Sequence, residues 1–90
     1  MAGRLQGKKA IVTGGDSGIG RAVAVAFARE GADVAIAFLD DRVGAAETRK
    51  QVEAAGRRCI AIQADVGSEE EVARFYQEAM PALGGLDVLV

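Results

Sequence analysis

The stretch that decides the fold runs Ala10-Ile11-Val12-Thr13-Gly14-Gly15-Asp16-Ser17-Gly18-Ile19-Gly20. A wholly apolar run gives way to a turn carrying four glycines, and a helical pattern begins at its end. Apolar runs of this kind are strands buried on both faces, the mark of a parallel sheet. The glycines let backbone approach a phosphate closely, and the unpaired N–H groups of the first helical turn point at it. Asp16 and Ser17 stand just ahead of the helix, where they can cap it or bond a ribose hydroxyl.

Spacing narrows the reading. The common fingerprint Gly-x-Gly-x-x-Gly does not fit, because Gly18 and Gly20 are followed by Val23. Nor is this a P-loop, since Arg21-Ala22 stands where Lys-Ser/Thr would be needed. The alternative of a glycine-rich turn without a ligand leaves unexplained why so many glycines separate a buried strand from an amphipathic helix.

Outward from the loop, the apolar theme returns three times, in Val34–Phe38, Cys59–Ile62 and Leu86–Val90. Helical patterns lie between. The first puts Ile19, Val23, Ala26 and Phe27 on one face and stops at Gly31. The second spans Asp41 to Ala55, with a weak stripe of Val43, Ala46 and Val52. Its Asp40 and Asp41 suit the positive end of a helix dipole. The third opens on Ser68-Glu69-Glu70-Glu71, a capping box, and lines up Val72, Phe75, Tyr76, Ala79, Met80 and Leu83. Pro81 predicts a kink or an early finish. Strand and helix thus alternate, and right-handed crossovers make this an α/β fold: the amino-terminal half of a doubly wound, Rossmann-type parallel sheet with helices on both faces.

Composition excludes other classes. The chain has 90 residues, 50% of them hydrophobic and 27% charged, with a net charge of −2. That balance is globular, and a mildly acidic chain without a basic block makes nucleic acid an unfavourable partner. No apolar run approaches membrane-spanning length and the opening residues lack a signal core, so the default expectation is a cytoplasmic protein without a membrane partner. There is no histidine and a single cysteine, Cys59, which excludes a disulfide framework, a Cys/His zinc site and a histidine triad within these residues; no metal site is expected. Cys59 opens an apolar run and reads as a buried small hydrophobe rather than a reactive thiol.

The loop does fit Thr-Gly-x-x-x-Gly-x-Gly, and in this the sequence resembles the short-chain dehydrogenase/reductase family, bacterial type. The resemblance covers nearly the whole chain: Leu5, Gly7 and Lys8 look like the family's opening, Asp65-Val66 like its Asp-Val pair, and Gly84–Val90 like its fourth strand. It implies an oxidoreductase that moves hydride between a nicotinamide cofactor and an alcohol or carbonyl carbon. The implied cofactor-binding residues are Gly14, Asp16, Ser17, Gly18, Ile19, Gly20, Phe38, Leu39, Asp65 and Val66. Asp65 would contact the adenine edge; its other reading is a helix-entry turn before Ser68. The stretch Gly14 to Ala37 most resembles members acting on sugars, polyols, aldehydes or ketones, and the resemblance implies a homo-oligomer for the complete protein.

NAD and NADP both stay open. The family's acidic NAD-selecting position holds Phe38, and its basic NADP-selecting positions hold Ser17 and Leu39. Asp40 and Asp41 can reach a ribose, repel a 2′-phosphate or cap the second helix, and Arg42 can bind that phosphate.

The family's catalyst is a tyrosine with a lysine four residues on, since free tyrosine at a pKa of about 10 is a poor base until positive charge stabilises its phenolate. Here the single tyrosine, Tyr76, is followed at that spacing by Met80, and the serines are Ser17 and Ser68. No catalytic residue is expected in this chain. Residues 1–90 read as the amino-terminal part of a dinucleotide-binding domain, cut at or within the fourth strand, and enzymatic only as part of the complete protein. A non-catalytic nucleotide-binding half-domain is the main alternative. A methyltransferase-like domain fits less well, because Phe38 stands where an acid is needed.

Overall fold

The structure, a computed structural model, describes residues 5–16 and 18–89. Strand and helix alternate as β1 (Lys9–Thr13), α1 (Gly18–Arg29), β2 (Asp33–Phe38), α2 (Arg42–Ala54), β3 (Cys59–Gln63), α3 (Glu69–Leu83) and β4 (Val88–Leu89). Every strand pairing is parallel, and the sheet order is β3-β2-β1-β4. The chain winds outward from β1 to β3, then crosses back to lay β4 on the far side of β1. That reversal is a topological switch point, where ligands bind beyond the carboxyl ends of the strands.

Alternation along β2 builds both layers. Val34, Ile36 and Phe38 join Val12 and Cys59 in one core, covered by Ala24, Val25 and Ala28 of α1 and by Ala45 and Val52 of α2. Ala35 and Ala37 face the other way, joining Ile11 and Ala64 under Phe75, Ala79 and Leu83 of α3. Every residue of β2 is buried, which is why its sequence shows no polar alternation.

Two helix faces differ from the sequence expectation. On α1, Ile19 is 84% exposed and Ala26 is exposed; the buried residues are Ala24, Val25 and Ala28, with Val23 and Phe27 half-buried. On α2, Val43 is 83% exposed and Ala46 is exposed, while Gly44, Ala45, Thr48 and Val52 are buried. The cause is close packing. Helices that lie tight against a sheet and against each other present small side chains, so bulk is a poor guide to the inward face. The α3 face is as expected, with Phe75, Ala79 and Leu83 buried and Val72, Tyr76 and Met80 half-buried.

The helix ends follow local chemistry. Asp41 caps α2, its carboxylate accepting the Gly44 N–H at 2.8 Å. Ser68 caps α3, its hydroxyl accepting the Glu71 N–H at 3.4 Å. Only this half of the capping box forms: the Ser68 N–H donates to the Asp65 carbonyl, and the Glu71 carboxylate takes Arg74. The helix continues past Pro81 to Leu83 and stops at Gly84, whose φ of 85° supplies the left-handed residue that ends a helix.

At the amino ends of the strands, buried Asp33 gathers three cations: Lys9 Nζ at 3.2 Å, Arg57 Nη2 at 3.0 Å and Arg58 Nη2 at 3.1 Å. Arg58 also donates to the carbonyls of Ala82 and Leu83, where the dipole of α3 is negative. Burial alone would raise the Asp33 pKa, but the Arg58 N–H, the Lys9 and Arg58 side chains and the Arg57 charge bring it down to about 2. This cluster ties β1, β2, β3 and α3 together at the end of the sheet opposite the glycine loop.

Candidate functional site

Three connections meet beyond the carboxyl ends of β1, β2 and β3: the glycine loop, Leu39–Asp41 and Ala64–Ser68. Between them opens a pocket of about 160 Å³ lined by Gly14, Asp16, Ala37, Leu39, Ala64, Asp65 and Val66.

The loop is held close to the sheet. The N–H groups of Gly14 and Gly15 both donate to the Ala37 carbonyl, at 2.9 and 3.3 Å, so the turn hangs from the end of β2. Gly18, at the start of α1, has a φ of +58°, and a Cβ built there would meet nothing within 4 Å. Its conformation suits glycine, and the space beside it is open. Gly20 is the opposite case. A Cβ there would overlap the Gly14 carbonyl, lying 2.7 Å from the Gly14 carbonyl carbon, so the first turn of α1 can seat against the loop only without a side chain.

The expected residues divide by position. Gly14, Asp16, Leu39, Asp65 and Val66 line the pocket together. Ile19 stands exposed beside Gly18 and Gly20 at the head of α1. Leu39 and Val66 are exposed apolar side chains, 58% and 54% accessible, from different connections. Phe38 is turned away: the residue is buried within the α1/α2 core, with the Arg42 guanidinium 5.9 Å from the ring centroid. Strand parity is the reason, since Ala37 faces the pocket side and its successor must face the other. The same parity points to the lining residues that sequence reasoning missed, Ala37 and Ala64, both in the α3-side core. Ser17 lies outside the described residues.

Asp65 combines a turn with a place in the pocket wall. Its Oδ1 accepts the Gly67 N–H at 2.9 Å and its carbonyl accepts the Ser68 N–H, a helix-entry turn, while the residue also lines the pocket. Asp41 is committed to its cap. Arg42 donates to Gln63 Oε1 at 2.8 Å, and Gln63 in turn donates to the carbonyl of the pocket-lining Leu39 at 2.8 Å, tying the start of α2 to the end of β3. Cys59 takes no part in the site; it is buried at the start of β3, and that burial raises its pKa to about 12.

A protein-family profile described as "short chain dehydrogenase" matches residues 8–90. The chain belongs to that family. Among curated relatives, General stress protein 39 of Bacillus subtilis (strain 168) is 53% identical over 89 residues, which are 99% of this chain and 31% of that protein. The uncharacterized oxidoreductase YghA of Escherichia coli (strain K12) is 48% identical, over 98% of this chain and 30% of its own length. Among solved structures, a short-chain dehydrogenase from Burkholderia cenocepacia J2315 in complex with NADP superposes with a TM-score of 0.92 at 48% identity, covering 96% of this chain and 35% of that one. This short-chain dehydrogenase chain therefore spans about a third of the length of the relatives it matches. It carries the family's doubly wound fold from the first strand into the fourth.

Proposed function

We propose that this chain is the dinucleotide-holding part of an NAD(P)-dependent oxidoreductase of the cytoplasm, which as a complete protein interconverts an alcohol and a carbonyl compound. One observation carries the reading: at the carboxyl ends of the strands the glycine loop that leads into α1 lines, through Gly14 and Asp16, an apolar-lipped pocket with the Asp65 carboxylate in its wall, and the space beside Gly18 is open. The family membership and the neighbour in complex with NADP support it.

The residues fit such a cofactor. Gly14 and Gly18 leave backbone uncovered by side chains, Gly20 lets the head of α1 seat against the loop, and the N–H groups opening α1, with the helix dipole behind them, would attract a pyrophosphate. Asp16 and Ser17 bond ribose hydroxyls. Leu39 and Val66 would shield the adenine from water, and Asp65 would accept from its amino edge through the oxygen its turn leaves over. Ile19 gives apolar contact at the head of the helix. When bound, NAD(P) supplies the hydride chemistry at its nicotinamide ring. This chain binds and orients; the acid/base group for the substrate comes from elsewhere in the complete protein.

The test is fluorescence titration of the full-length protein with NADH and with NADPH, beside a Gly18→Val variant. A valine there enters open space, so helix content should hold apart from roughly 1–2 kcal/mol of left-handed strain, while its methyls occupy the cofactor's approach. Saturable binding by the wild type and its loss in the variant are expected, and the tighter of the two nucleotides identifies the cofactor. A wild type that binds neither, or a variant that binds as well as the wild type, removes the proposal.

A further inference from the structure

Behind the glycine loop, on the side away from the pocket, lies a polar cluster that the cofactor-binding residues do not include. Thr48 of α2 is fully buried, and its hydroxyl donates to the Gly15 carbonyl at 2.6 Å while accepting from Arg21 Nε at 2.9 Å. Arg21 Nη2 donates to the Asp16 carbonyl at 2.6 Å and to the Gly44 carbonyl at 2.9 Å. Consecutive carbonyls of the loop are thus gripped from behind by side chains of two helices. Gly44 makes the grip possible: a Cβ there would come within 2.5 Å of the Asp16 carbonyl oxygen and would overlap the Asp41 carboxylate.

Peptide planarity turns this grip into a statement about ligands. In a trans peptide the C=O and N–H point in opposite directions. Drawing the Gly15 carbonyl inward to Thr48 therefore aims the Asp16 N–H outward, and Asp16 lines the pocket. A loop released from its anchors would spread over many peptide orientations, and binding would have to select the competent one.

The geometry assigns to Arg21 and Thr48 the role of positioning residues that hold the glycine loop in its ligand-ready shape, making α2 a determinant of dinucleotide affinity. This rests on the cofactor reading above, but the clamp itself is testable without a cofactor. In the ligand-free full-length protein, Thr48→Val should speed amide exchange across residues 14–20 and leave β3 and α3 unchanged. With NADH or NADPH, Thr48→Val and Arg21→Met should each weaken binding about tenfold, the factor expected if a tenth of the molecules keep the competent loop. Thr48→Ser keeps the hydroxyl and should bind close to wild type, which a merely space-filling role would not predict.

Unchanged loop exchange in Thr48→Val overturns the clamp whatever the cofactor. Unchanged affinity in both folded variants, or a Thr48→Ser as weak as Thr48→Val, overturns the role in binding. Should Arg21→Met fail to fold, Arg21→Lys carries the same test, because a lysine cannot span the carbonyls of Asp16 and Gly44 and the Thr48 hydroxyl together. A wild type that binds no dinucleotide sinks the cofactor reading and the affinity claim with it, while faster loop exchange in Thr48→Val would still show the anchor.

Discussion

Replacing Asp33 with asparagine should cost the protein about 2 kcal/mol near neutral pH, the worth of a carboxylate whose pKa is brought from 3.8 down to about 2. The Asp33 side chain is 6% exposed, so its charge is poorly screened, whereas Arg58 is 57% exposed and its share is discounted accordingly. Asparagine keeps the shape and can still accept the Arg58 N–H, but it leaves the cations at Lys9, Arg57 and Arg58 without a counter-charge. The assay is urea denaturation of wild type and Asp33→Asn across a pH series. Because the folded pKa of Asp33 is depressed, its stabilisation is fully present above the unfolded value of 3.8 and drains away as pH falls toward the folded value of about 2. The difference between the two proteins should therefore stay flat from neutrality to about pH 5 and close below about pH 4. A gap under about 0.5 kcal/mol at neutral pH, the size of an ordinary surface ion pair, would refute the reasoning. So would a gap that closes near pH 6.

Gly20→Ala should weaken dinucleotide binding and also lower the melting temperature, because the new methyl overlaps the Gly14 carbonyl, backbone that is itself bonded to the end of β2, so the loop and the first turn of α1 must part; titration and thermal denaturation of the variant check this. Cys59 should resist iodoacetamide in the folded protein and react only on unfolding, since burial holds its thiol at a pKa of about 12; mass spectrometry with and without urea reads the difference. Ser68→Ala should cost about 0.5–1 kcal/mol by denaturation, the low end for an N-cap given the 3.4 Å bond.

The strands and α3 were legible because their signal is coarse. A strand buried on both faces reads as an apolar run, as Val34–Phe38 does, and α3 carries large residues at helical spacing. The loop was legible because its chemistry is local: glycines, then a helix start. What the sequence concealed is set by contact between elements. On α1 and α2 the inward faces are mostly alanine, glycine and threonine beside Val25 and Val52, while the large apolar residues Ile19 and Val43 stand in solvent. Arg21 reads as a surface charge until α2 is brought against it, and Asp33 reads as the residue before a strand until Arg57 and Arg58 arrive from the next turn of the chain. The family resemblance implies a cofactor contact for Phe38, yet strand parity sends its ring into the core.

The position of β4 bears on how the protein is made. Asp87 bonds Lys9 through both its backbone N–H and its carboxylate, across a separation of 78 residues, while Lys9 and Asp33 are joined across 24. Closing the longer loop costs about 1 kcal/mol more in chain entropy. On the ribosome the order is stricter still: β1 emerges early, pairs with β2, and must wait with its other edge bare until residues 88 and 89 have been synthesised. Throughout that interval the strand feeding the glycine loop is an unpaired sheet edge, open to a neighbouring nascent chain. A synonymous change that slows translation between β3 and β4 would lengthen the exposure and lower the soluble yield without altering a single contact in the finished molecule.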